Sequence, residues 1–474
     1  MPSARDVLRR IPGVDSLLEA LGREDTAAAA PRPIVVDAVR SAVEAARQRL
    51  LADPDAEATE GDLRDAILAD ARRRTRAWMG PHFRKVINAT GIILHTALGR
   101  AVLPEKALGQ IADELSGYSL LQADLETGRR SRRAARIEEL LCRLTGAEAA
   151  TVVNNNAAAT MIVLNAVAGG GREVIVSRGQ LVEIGGSYRL PEMMATSGAR
   201  MVEVGTTNKT HPRDYENAVT ENTAAILRVH PSNYKIYGFT SEVPLETLRE
   251  ICDRHGLTLI DDLGAGPLID LSRYGYPKEP TLPESVAAGA DLTTSSADKL
   301  IGASQGGIIL GRKPWIEAIR KNPLARVLRV GKLTLAALEA TLTLFLDEET
   351  ALRGVPTNRM LRRDVALLGE QADRIAAAIA ERAPGADVQV TDGFSQMGSG
   401  SLPTHDIPTR VVALAPRGMT AGDLARRLRL GEPPVFTRIK DERVLIDPRT
   451  LQDGEEDVLV DAVARALGRA IPHS

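Results

Sequence analysis

Between residues 86 and 345, short apolar segments alternate with segments of helical length, and this pattern constrains the fold more than any other feature. The apolar segments lie at 151–153, 174–176, 201–204, 225–227 and 257–260. Strands that alternate with helices predict an α/β fold with a mostly parallel sheet, covered by helices on both faces. Because ligands bind such sheets beyond the carboxyl ends of the strands, we expect functional residues directly after these segments.

The regions on either side of this α/β region have different patterns. Before it, apolar residues recur at three- and four-residue steps, which predicts a helical domain at residues 1–80. After it, a long amphipathic helix and several short apolar segments predict a small α+β domain at residues 346–474. The α/β region itself is predicted to form a large domain at residues 81–345.

Arginines are concentrated where the N-terminal domain ends. The last helix of that domain is expected to begin with Asp62 as its N-cap, and its last turns contain Arg72, Arg73, Arg74 and Arg76. Positive charge at a helix C-terminus complements the helix dipole, so these side chains can form an ordinary solvated face. They can also form a surface that contacts the phosphates of a nucleic acid. The residues alone leave both interpretations open.

The composition is that of a globular protein without structural disulfides. The 474-residue chain is 44% hydrophobic and 26% charged, and its formal net charge is -2. Two cysteines, Cys142 and Cys252, cannot build a disulfide framework and fit a reducing compartment. No apolar run approaches the roughly 20 residues that span a membrane, and the first residues do not resemble a signal peptide. We therefore expect a cytoplasmic protein, and no residue pattern predicts a metal site.

One lysine lies in a setting typical of a covalently bound cofactor. The run TTSSADKLIGASQGG at 293–307 places Lys299 between an aspartate and a glycine-rich turn, and an apolar segment follows at once. Enzymes that hold pyridoxal phosphate on a large α/β domain present their cofactor-binding lysine in this way. The ordinary alternative is a surface lysine after a strand, but the adjacent Ser296, Asp298 and Gly302 favour the cofactor. The sequence therefore predicts a pyridoxal phosphate enzyme.

Pyridoxal phosphate also needs an anion site for its phosphate and a carboxylate for its pyridine nitrogen. Asp262 ends an apolar segment and is the candidate carboxylate, with Asp261 as a rival that the spacing does not exclude. The candidate phosphate site is the start of a predicted helix, where backbone N–H groups and the helix dipole favour a dianion. Its residues are Asn155, Asn156 and Ala157, for which a plain N-cap is the alternative.

Two further polar residues are candidate cofactor contacts because they follow predicted strands. Ser296 can add a hydroxyl group to the phosphate site, or it can cap a turn. His230 can stack on the cofactor ring or assist proton transfer. A lone histidine is more often structural, but its position at a strand end favours a functional role.

Motifs along most of the chain resemble those of one family, the bacterial selenocysteine synthases, which are L-seryl-tRNA(Sec) selenium transferases. The motifs are INATG at 87–91, HTALGR at 95–100, DLETG at 124–128, VNNNAA at 153–158, SRG at 177–179, EIGGS at 183–187 and LRVGKLTL at 328–335. The resemblance extends from LRRIPGVD at 8–15 to LIDPRT at 445–450. The sequence is therefore identified as a member of that family.

The resemblance implies a fold, an assembly and a reaction. The fold is that of fold type I pyridoxal phosphate enzymes, which resemble aspartate aminotransferase. The assembly is a homo-oligomeric ring of dimers, a decamer, with active sites at the dimer interface. The N-terminal domain is implied to bind selenocysteine tRNA charged with serine. In the implied reaction the seryl hydroxyl leaves as water, and selenium from selenophosphate adds to the β-carbon of the dehydroalanyl intermediate, with Lys299 moving the α-proton.

Three arginines match the family's anion-binding positions, and the resemblance implies that they bind selenophosphate. They are Arg100, Arg326 and Arg329. On a helix, Arg326 and Arg329 would share a face because they are three residues apart. Without the resemblance, all three arginines would be taken for surface residues.

Several positions depart from the family's pattern, most of them near the expected substrate entrance. They are Ala97, Leu120, Ala123, residues 130–136, Ala297 and Gly331. A second hypothesis is therefore a pyridoxal phosphate lyase, such as D-glucosaminate-6-phosphate ammonia-lyase, that acts on a small amino acid or amino-sugar acid without tRNA. Such lyases typically lack an N-terminal tRNA-binding segment, so the segment here favours the tRNA enzyme. A third hypothesis is a tRNA-binding scaffold with a vestigial site, which the retained candidate residues disfavour.

Overall fold

A computed structural model describes residues 8, 10–22, 30–52, 59–186, 188–403 and 405–468. Contacts between Cα atoms divide the chain into two compact units, Met1–Lys85 and Val86–Ser474. Among the residues within those described ranges, no helix is both long enough and apolar enough to cross a membrane.

The N-terminal unit is helical. It contains α1 (Val14–Gly22), α2 (Arg32–Ala52) and α3 (Glu60–Met79). The apolar faces of these helices share one core, in which Leu17, Val39 and Ile67 are at most 2% exposed. The three- and four-residue spacing of apolar residues therefore predicts the buried faces of α2 and α3 correctly.

The two ends of α3 are fixed by different polar contacts. The prediction that Asp62 is the N-cap is wrong, because the hydroxyl of Thr59 accepts the N–H of Asp62 at 3.2 Å. The carboxylate of Asp62 accepts the N–H of Thr59 in return, at 3.0 Å, which completes a capping box. In the basic stretch near the other end, buried Asp70 forms ion pairs with Arg73 and, at 3.1 Å, with Arg74.

The first part of the second unit contains the central sheet. Its helices and strands are β1 (Ile87–Asn88), α4 (Glu105–Glu114), α5 (Ala135–Thr145), β2 (Ala149–Val153), α6 (Asn156–Ala168), β3 (Glu173–Ser177), β4 (Glu183–Ile184), β5 (Tyr188–Arg189), α7 (Leu190–Thr196), β6 (Arg200–Val204), α8 (Pro212–Glu216), β7 (Thr223–Val229), α9 (Leu245–His255), β8 (Thr258–Gly264), α10 (Leu282–Ala287), β9 (Leu292–Ser296), β10 (Gly307–Gly311), α11 (Lys313–Lys321), α12 (Leu324–Val327) and α13 (Lys332–Leu344). A seven-stranded sheet forms in the order β2-β10-β9-β8-β7-β3-β6. Strand β10 is antiparallel to both neighbours, whereas the pairs from β9 to β6 are parallel. Every residue of β3 is buried, as expected for a strand with helices on both faces of its sheet.

The last part of the second unit is a smaller α+β arrangement. It consists of α14 (Glu348–Gly354), α15 (Pro356–Leu361), α16 (Val365–Arg382), β11 (Ala386–Ser395), β12 (Ile407–Pro416), α17 (Ala421–Leu430), β13 (Val435–Phe436), β14 (Arg438–Lys440), β15 (Arg443–Ile446) and α18 (Glu455–Gly468). Four of these strands form an antiparallel sheet in the order β11-β12-β15-β14. One face of this sheet packs against α16, α17 and α18, where Leu414, Ile375 and Leu424 are fully buried.

The first strand of the second unit packs with elements from the C-terminal part of the same unit. Strand β1 pairs in parallel with β13, and the N–H of Asp447 donates to the carbonyl of Ala89 at 2.9 Å. Gly91 follows with φ +72, and a Cβ atom at this position would lie 1.9 Å from a carboxylate oxygen of Asp447. Only glycine permits that close approach. The start of the predicted large domain therefore packs with the C-terminal elements.

Candidate active site

Lys299 lies in a tight turn after the carboxyl end of β9. The turn closes where the N–H of Gly302 donates to the carbonyl of Lys299 at 2.9 Å. Gly302 has φ +74, and a Cβ atom there would lie 2.5 Å from the side chain of Val355, so this position requires glycine. Lys299 is only 6% exposed, and it lines a cavity of about 670 Å³. One buried amine therefore lies at the edge of the sheet where ligands bind.

This cavity, called the Lys299 cavity below, collects residues from distant parts of the chain. Its lining consists of Thr96, Arg100, Asn155, Asn156, Ala157, Ile184, Gly185, Tyr188, Asn233, Gly264, Ser296, Lys299, Gln305, Ser399 and Gly400. The lining includes six of the predicted site residues, namely Arg100, Asn155, Asn156, Ala157, Ser296 and Lys299. It does not include the four others, which are Asp262, His230, Arg326 and Arg329.

The surroundings of Lys299 lower the pKa of its ammonium group. Burial is the largest cause, and the positive charge of Arg100 adds to it, while the carboxylates of Asp298 and Asp262 act in the opposite direction. A lowered pKa leaves more of the amine neutral at a given pH. The neutral amine is the form that attacks a carbonyl carbon, so this environment suits a nucleophilic lysine.

Arg100 is held in the Lys299 cavity by its backbone and by an ion pair. Gly99 and Arg100 both have positive φ, +93 and +63, which turns the chain sharply after the short helical turn at Thr96–Leu98. The guanidinium group of Arg100 donates to the carboxylate of Asp298 at 2.8 Å. Asp298, the neighbour of Lys299 in the chain, therefore holds the positive charge of Arg100 at the cavity wall.

Asp261 and Asp262 point to opposite sides of β8, as neighbours on a strand do. Asp261 is fully buried and accepts hydrogen bonds from Arg228 at 2.9 Å and from Ser285 at 2.6 Å. Asp262 accepts hydrogen bonds from Asn156 and Thr160, both at 2.8 Å. Because Asn156 lines the Lys299 cavity, Asp262 lies directly behind the cavity wall, whereas the charge of Asp261 is already matched by Arg228.

The N-terminus of α6 opens into the Lys299 cavity. The side chain of Asn155 caps the helix by accepting the N–H of Ala158 at 2.9 Å. Asn155, Asn156 and Ala157 all line the cavity, so the first turn of a 13-residue helix faces it. The adjacent β10 starts with Gly307, where a Cβ atom would lie 2.1 Å from the carbonyl oxygen of Asn155. The predicted phosphate site therefore has the backbone geometry that an anion requires.

His230 lies beside the site and outside the lining of the Lys299 cavity. Its Nε2 atom pairs with the carboxylate of Glu279 at 2.7 Å, and its backbone N–H donates to the carbonyl of Asp262 at 2.9 Å. These contacts stabilise the ends of β7 and β8. A role as ring contact stays a prediction that these contacts do not favour.

Sequence reasoning missed the hairpin formed by β4 and β5. It supplies Ile184, Gly185 and Tyr188 to the Lys299 cavity. Gly185 and Gly186 have φ of +64 and +76, so the adjacent glycines of the EIGGS motif were an available turn signal. That signal predicts a turn, but nothing in the spacing of apolar residues predicts which cavity the turn approaches.

Arg326 and Arg329 do not share a helical face, because the helix on which that expectation depended does not extend through both residues. Helix α12 ends at Val327, and the carbonyl of Leu328 accepts the N–H of Asn154 at 3.0 Å, which holds the chain against the end of β2. Both arginines are exposed, and neither has a carboxylate partner in the described part of the chain. Arg133 donates to the carbonyl of Val330 at 3.0 Å.

These arginines are close enough to influence one another. The pKa of Arg133 is lowered first by burial and then by the positive charges of Arg329, Arg326 and Arg130. We call these four residues the arginine cluster. Positive side chains that gather without carboxylates are typical of a site that binds an anion.

The departures from the family's pattern all lie outside the lining of the Lys299 cavity. A larger groove of about 930 Å³ is lined by Leu120, Ala123, Arg132, Arg133 and Arg136, together with residues of α4 and α13. Leu120, Ala123 and several residues of the run at 130–136 therefore belong to a second surface, whereas Ala97, Ala297 and Gly331 line neither this groove nor the Lys299 cavity.

The fold defines the class of protein to which the chain belongs, namely fold type I. A solved structure of D-glucosaminate-6-phosphate ammonia-lyase matches this chain with a TM-score of 0.56 at 23% identity, and the match covers 83% of this chain and 99% of that chain. A likeness at this identity shows the fold alone. The predicted fold class, fold type I with a mostly parallel sheet, is confirmed.

Comparison of sequences identifies the family within that class. The family model "L-seryl-tRNA selenium transferase" matches residues 86–452, and the model "Selenocysteine synthase N terminal" matches residues 8–47. The chain is 45% identical to L-seryl-tRNA(Sec) selenium transferase of Alkaliphilus metalliredigens, with 96% of this chain and 98% of the relative covered. It is 47% identical to the same enzyme of Solidesulfovibrio magneticus, with 98% of each chain covered. The chain belongs to the L-seryl-tRNA selenium transferase family.

Proposed function

We propose that this protein converts L-seryl-tRNA(Sec) to L-selenocysteinyl-tRNA(Sec), with pyridoxal phosphate as cofactor and selenophosphate as selenium donor. The observation that carries the proposal is the Lys299 cavity, in a chain that belongs to the selenium transferase family. It combines a buried amine, a helix N-terminus and a carboxylate behind its wall. These groups match the aldehyde, the phosphate and the pyridine nitrogen of pyridoxal phosphate.

The assignment of residues to the cofactor follows from those contacts. Lys299 binds the cofactor covalently, while Asn155, Asn156, Ala157 and Ser296 bind its phosphate. Asp262 pairs with the pyridine nitrogen in preference to Asp261, because Arg228 already neutralises Asp261. We assign His230 to the support of the strand ends, given its contacts with Glu279 and Asp262.

When bound, the cofactor supplies an electron sink for negative charge at the α-carbon of the seryl group. The chain's own contribution is the movement of a proton. The Nζ atom of Lys299, whose lowered pKa favours the neutral amine, accepts the α-proton. Its burial limits the access of water, which would compete with selenium for the β-carbon.

Selenophosphate binding is assigned to Arg100, Arg326 and Arg329. Arg100 lines the Lys299 cavity, whereas Arg326 and Arg329 lie outside its lining. That distribution is consistent with a homo-oligomer, a decamer in the family, in which active sites lie at the dimer interface. The helical domain at residues 1–80 is proposed to bind the tRNA. Along the chain it is followed by the cofactor-binding domain at 81–345 and by the small domain at 346–474.

The test is a transfer assay with purified protein, seryl-tRNA(Sec) and radiolabelled selenophosphate. We expect label on the tRNA with the unaltered protein and a loss of nearly all of that label with Lys299→Ala. The same preparations are tested for ammonia release from D-glucosaminate 6-phosphate. Ammonia release without labelled tRNA would overturn the proposal in favour of a small-substrate lyase.

A further inference from the structure

Two hydroxyl groups in the wall of the Lys299 cavity have no role assigned so far. They belong to Thr96, in the segment that follows β1, and to Ser399, in the loop between β11 and β12. Their oxygen atoms are 3.0 Å apart, which is a hydrogen-bond distance, although the two residues are 303 positions apart in the chain. The pair therefore joins two distant segments at the cavity wall.

The loop that contains Ser399 is closely packed against the segment that precedes Thr96. The N–H of Leu94 donates to the carbonyl of Met397 at 2.7 Å, and a Cβ atom at Gly398 would lie 2.6 Å from the side chain of Ile92. Ser399 itself has φ +48, which is uncommon for a residue other than glycine. Such a conformation persists only where the surrounding contacts fix it, so Ser399 is held in one place.

The directions of the hydrogen bonds in this pair follow from the number of protons. Each hydroxyl group has a single proton. The Oγ atom of Ser399 lies 2.6 Å from the carbonyl oxygen of Leu94, which can only accept, so the proton of Ser399 is donated there. The contact between the two hydroxyl groups therefore uses the proton of Thr96, which is donated to Ser399. Because that proton is used, the oxygen atom of Thr96 can only accept a further hydrogen bond.

An oxygen atom that can only accept selects a ligand group that donates. Thr96 is exposed and lines the Lys299 cavity, so its side chain is available to a ligand. In the proposed substrate, the β-hydroxyl group of the seryl moiety can donate, whereas the ester carbonyl can only accept. The α-amino group also donates, but the reaction engages it with the cofactor.

The position of Thr96 fits the β-carbon of the substrate. Arg100, which is assigned to selenophosphate, follows four residues later in the same segment and lines the same cavity. In the proposed reaction, selenium takes the place of the hydroxyl group on one carbon atom. One short segment therefore provides a contact for the group that leaves and a contact for the group that arrives.

We propose that Thr96 is a specificity-determining residue that accepts a hydrogen bond from the β-hydroxyl group of the seryl moiety, and that Ser399 is the positioning residue that fixes the proton of Thr96. This inference rests on the proposed function, which supplies the seryl substrate. It predicts that the site distinguishes a seryl group from an alanyl group, which has the same carbon atoms and lacks the hydroxyl group.

The test compares seryl-tRNA(Sec) with alanyl-tRNA(Sec) in selenium transfer by the full-length protein loaded with pyridoxal phosphate. Seryl-tRNA(Sec) is the substrate and gives KM, while alanyl-tRNA(Sec) has no group to eliminate and serves as a competitive inhibitor with the constant Ki. In the unaltered protein, Ki should exceed KM about three- to tenfold, the effect of one hydrogen bond. Thr96→Val should raise KM by that factor and change Ki less than about twofold.

Three further variants make the result specific. Thr96→Ser keeps the hydroxyl group and should restore KM to within about twofold of its original value. Ser399→Ala frees the proton of Thr96 and should raise KM less than Thr96→Val does, with no further effect in the double variant. Thr196→Val is the matched control, because Thr196 is exposed, donates to the carbonyl of Glu192 at 2.8 Å and lies outside the cavity lining. It should change neither constant.

Three outcomes would overturn this inference and leave the proposed function intact. An unchanged KM in Thr96→Val would exclude the contact, and an equal rise of KM and Ki would show that Thr96 only supports the cavity wall. Weaker binding of pyridoxal phosphate to Thr96→Val, measured by equilibrium dialysis, would identify the cofactor's own hydroxyl group as the donor. Melting temperatures confirm that each variant is folded. Absence of transfer by the unaltered protein would instead overturn the proposed function, and this inference with it.

Discussion

The Lys299 cavity is proposed to hold the cofactor's phosphate, and the arginine cluster contributes Arg326 and Arg329 to the proposed selenophosphate site. The two regions are built in opposite ways. In the Lys299 cavity, the groups assigned to the cofactor's phosphate are neutral: the backbone N–H groups at the start of α6 and the hydroxyl group of Ser296. Arg100, which is assigned to selenophosphate, lines the same cavity and is paired with Asp298. In the arginine cluster, full positive charges stand together without carboxylates in the described part of the chain. The first arrangement suits a resident cofactor, and the second suits an anion that arrives and leaves.

The difference matters because the two arrangements respond differently to the surroundings. Hydrogen bonds from buried backbone groups are little affected by salt, whereas attraction to exposed arginines is screened at physiological ionic strength. We therefore expect the affinity for the cofactor to change little with salt concentration. The rate of selenium transfer should fall as the salt concentration rises. Substitutions in the two regions should separate these effects.

The largest expected effect is that of Lys299→Ala. It removes both the covalent attachment point and the proposed proton acceptor, so the transfer rate should fall on the order of 10²- to 10⁴-fold. Borohydride reduction should attach the cofactor permanently to the unaltered protein and not to the variant, as read by mass spectrometry. Lys321→Ala, at the exposed end of α11, is the control and should behave like the unaltered protein. A variant that still fixes the cofactor would contradict the assignment of Lys299.

The next effect distinguishes the two adjacent aspartates. Asp262→Asn should lower the transfer rate on the order of 10²-fold, because an amide does not stabilise a protonated pyridine nitrogen. Asp261→Asn should instead lower the free energy of unfolding by about 3 kcal/mol, since it leaves Arg228 without its charged partner. Denaturant unfolding and transfer assays on both variants check this. The reverse pattern would make Asp261 the cofactor's partner.

Arg326→Ala and Arg329→Ala test the arginine cluster. Each should lower the transfer rate about tenfold, and the dependence of that rate on salt concentration should become no steeper. The dissociation constant of pyridoxal phosphate should stay unchanged. Arg353→Ala is a matched control, because Arg353 is an exposed arginine on α14 whose nearest carboxylate is 3.6 Å away. Weakened cofactor binding in either cluster variant would show that the two regions are not separate.

The smallest effect concerns pH. Burial and Arg100 lower the pKa of Lys299, so the neutral amine is present at lower pH than for an ordinary lysine. Arg100→Met removes one lowering cause and should raise that pKa, so that the reaction of Lys299 with added cofactor requires a higher pH. The rate of cofactor attachment to apoprotein, followed by absorbance across pH, measures this shift. A shift to lower pH would contradict the stated role of Arg100.

Patterns in the local sequence predict several of the residues that lie in or behind the wall of the Lys299 cavity. The alternation of strands and helices identifies strand ends, and Lys299, Asn155 and Asp262 all lie at strand ends near one edge of the sheet. Tyr188 could not be predicted in the same way, because a two-glycine turn does not reveal what its hairpin packs against. Long-range packing decides that contact.

Elsewhere, contacts between distant parts of the chain determine the structure, and the spacing of residues in the sequence does not predict it. The three-residue spacing of Arg326 and Arg329 predicts a shared face only if a helix continues through both. The helix stops at Val327, and the carbonyl of Leu328 instead accepts the N–H of Asn154, at the end of a distant strand. The roles of both arginines could be expected only from the resemblance to a family, since spacing alone gives surface residues.

The pairing of β1 with β13 restricts the order in which the chain can fold during synthesis. Ile87 and Val435 are roughly 350 residues apart, so β1 stays unpaired until nearly all of the protein has left the ribosome. The central sheet, from β2 to β10, has its strands complete much earlier, and the helices of the N-terminal unit need only local contacts. The pairing of β1 therefore depends on one of the last strands to be synthesised, and a chain that stops before β13 leaves Ile87 and Asn88 without their partner strand.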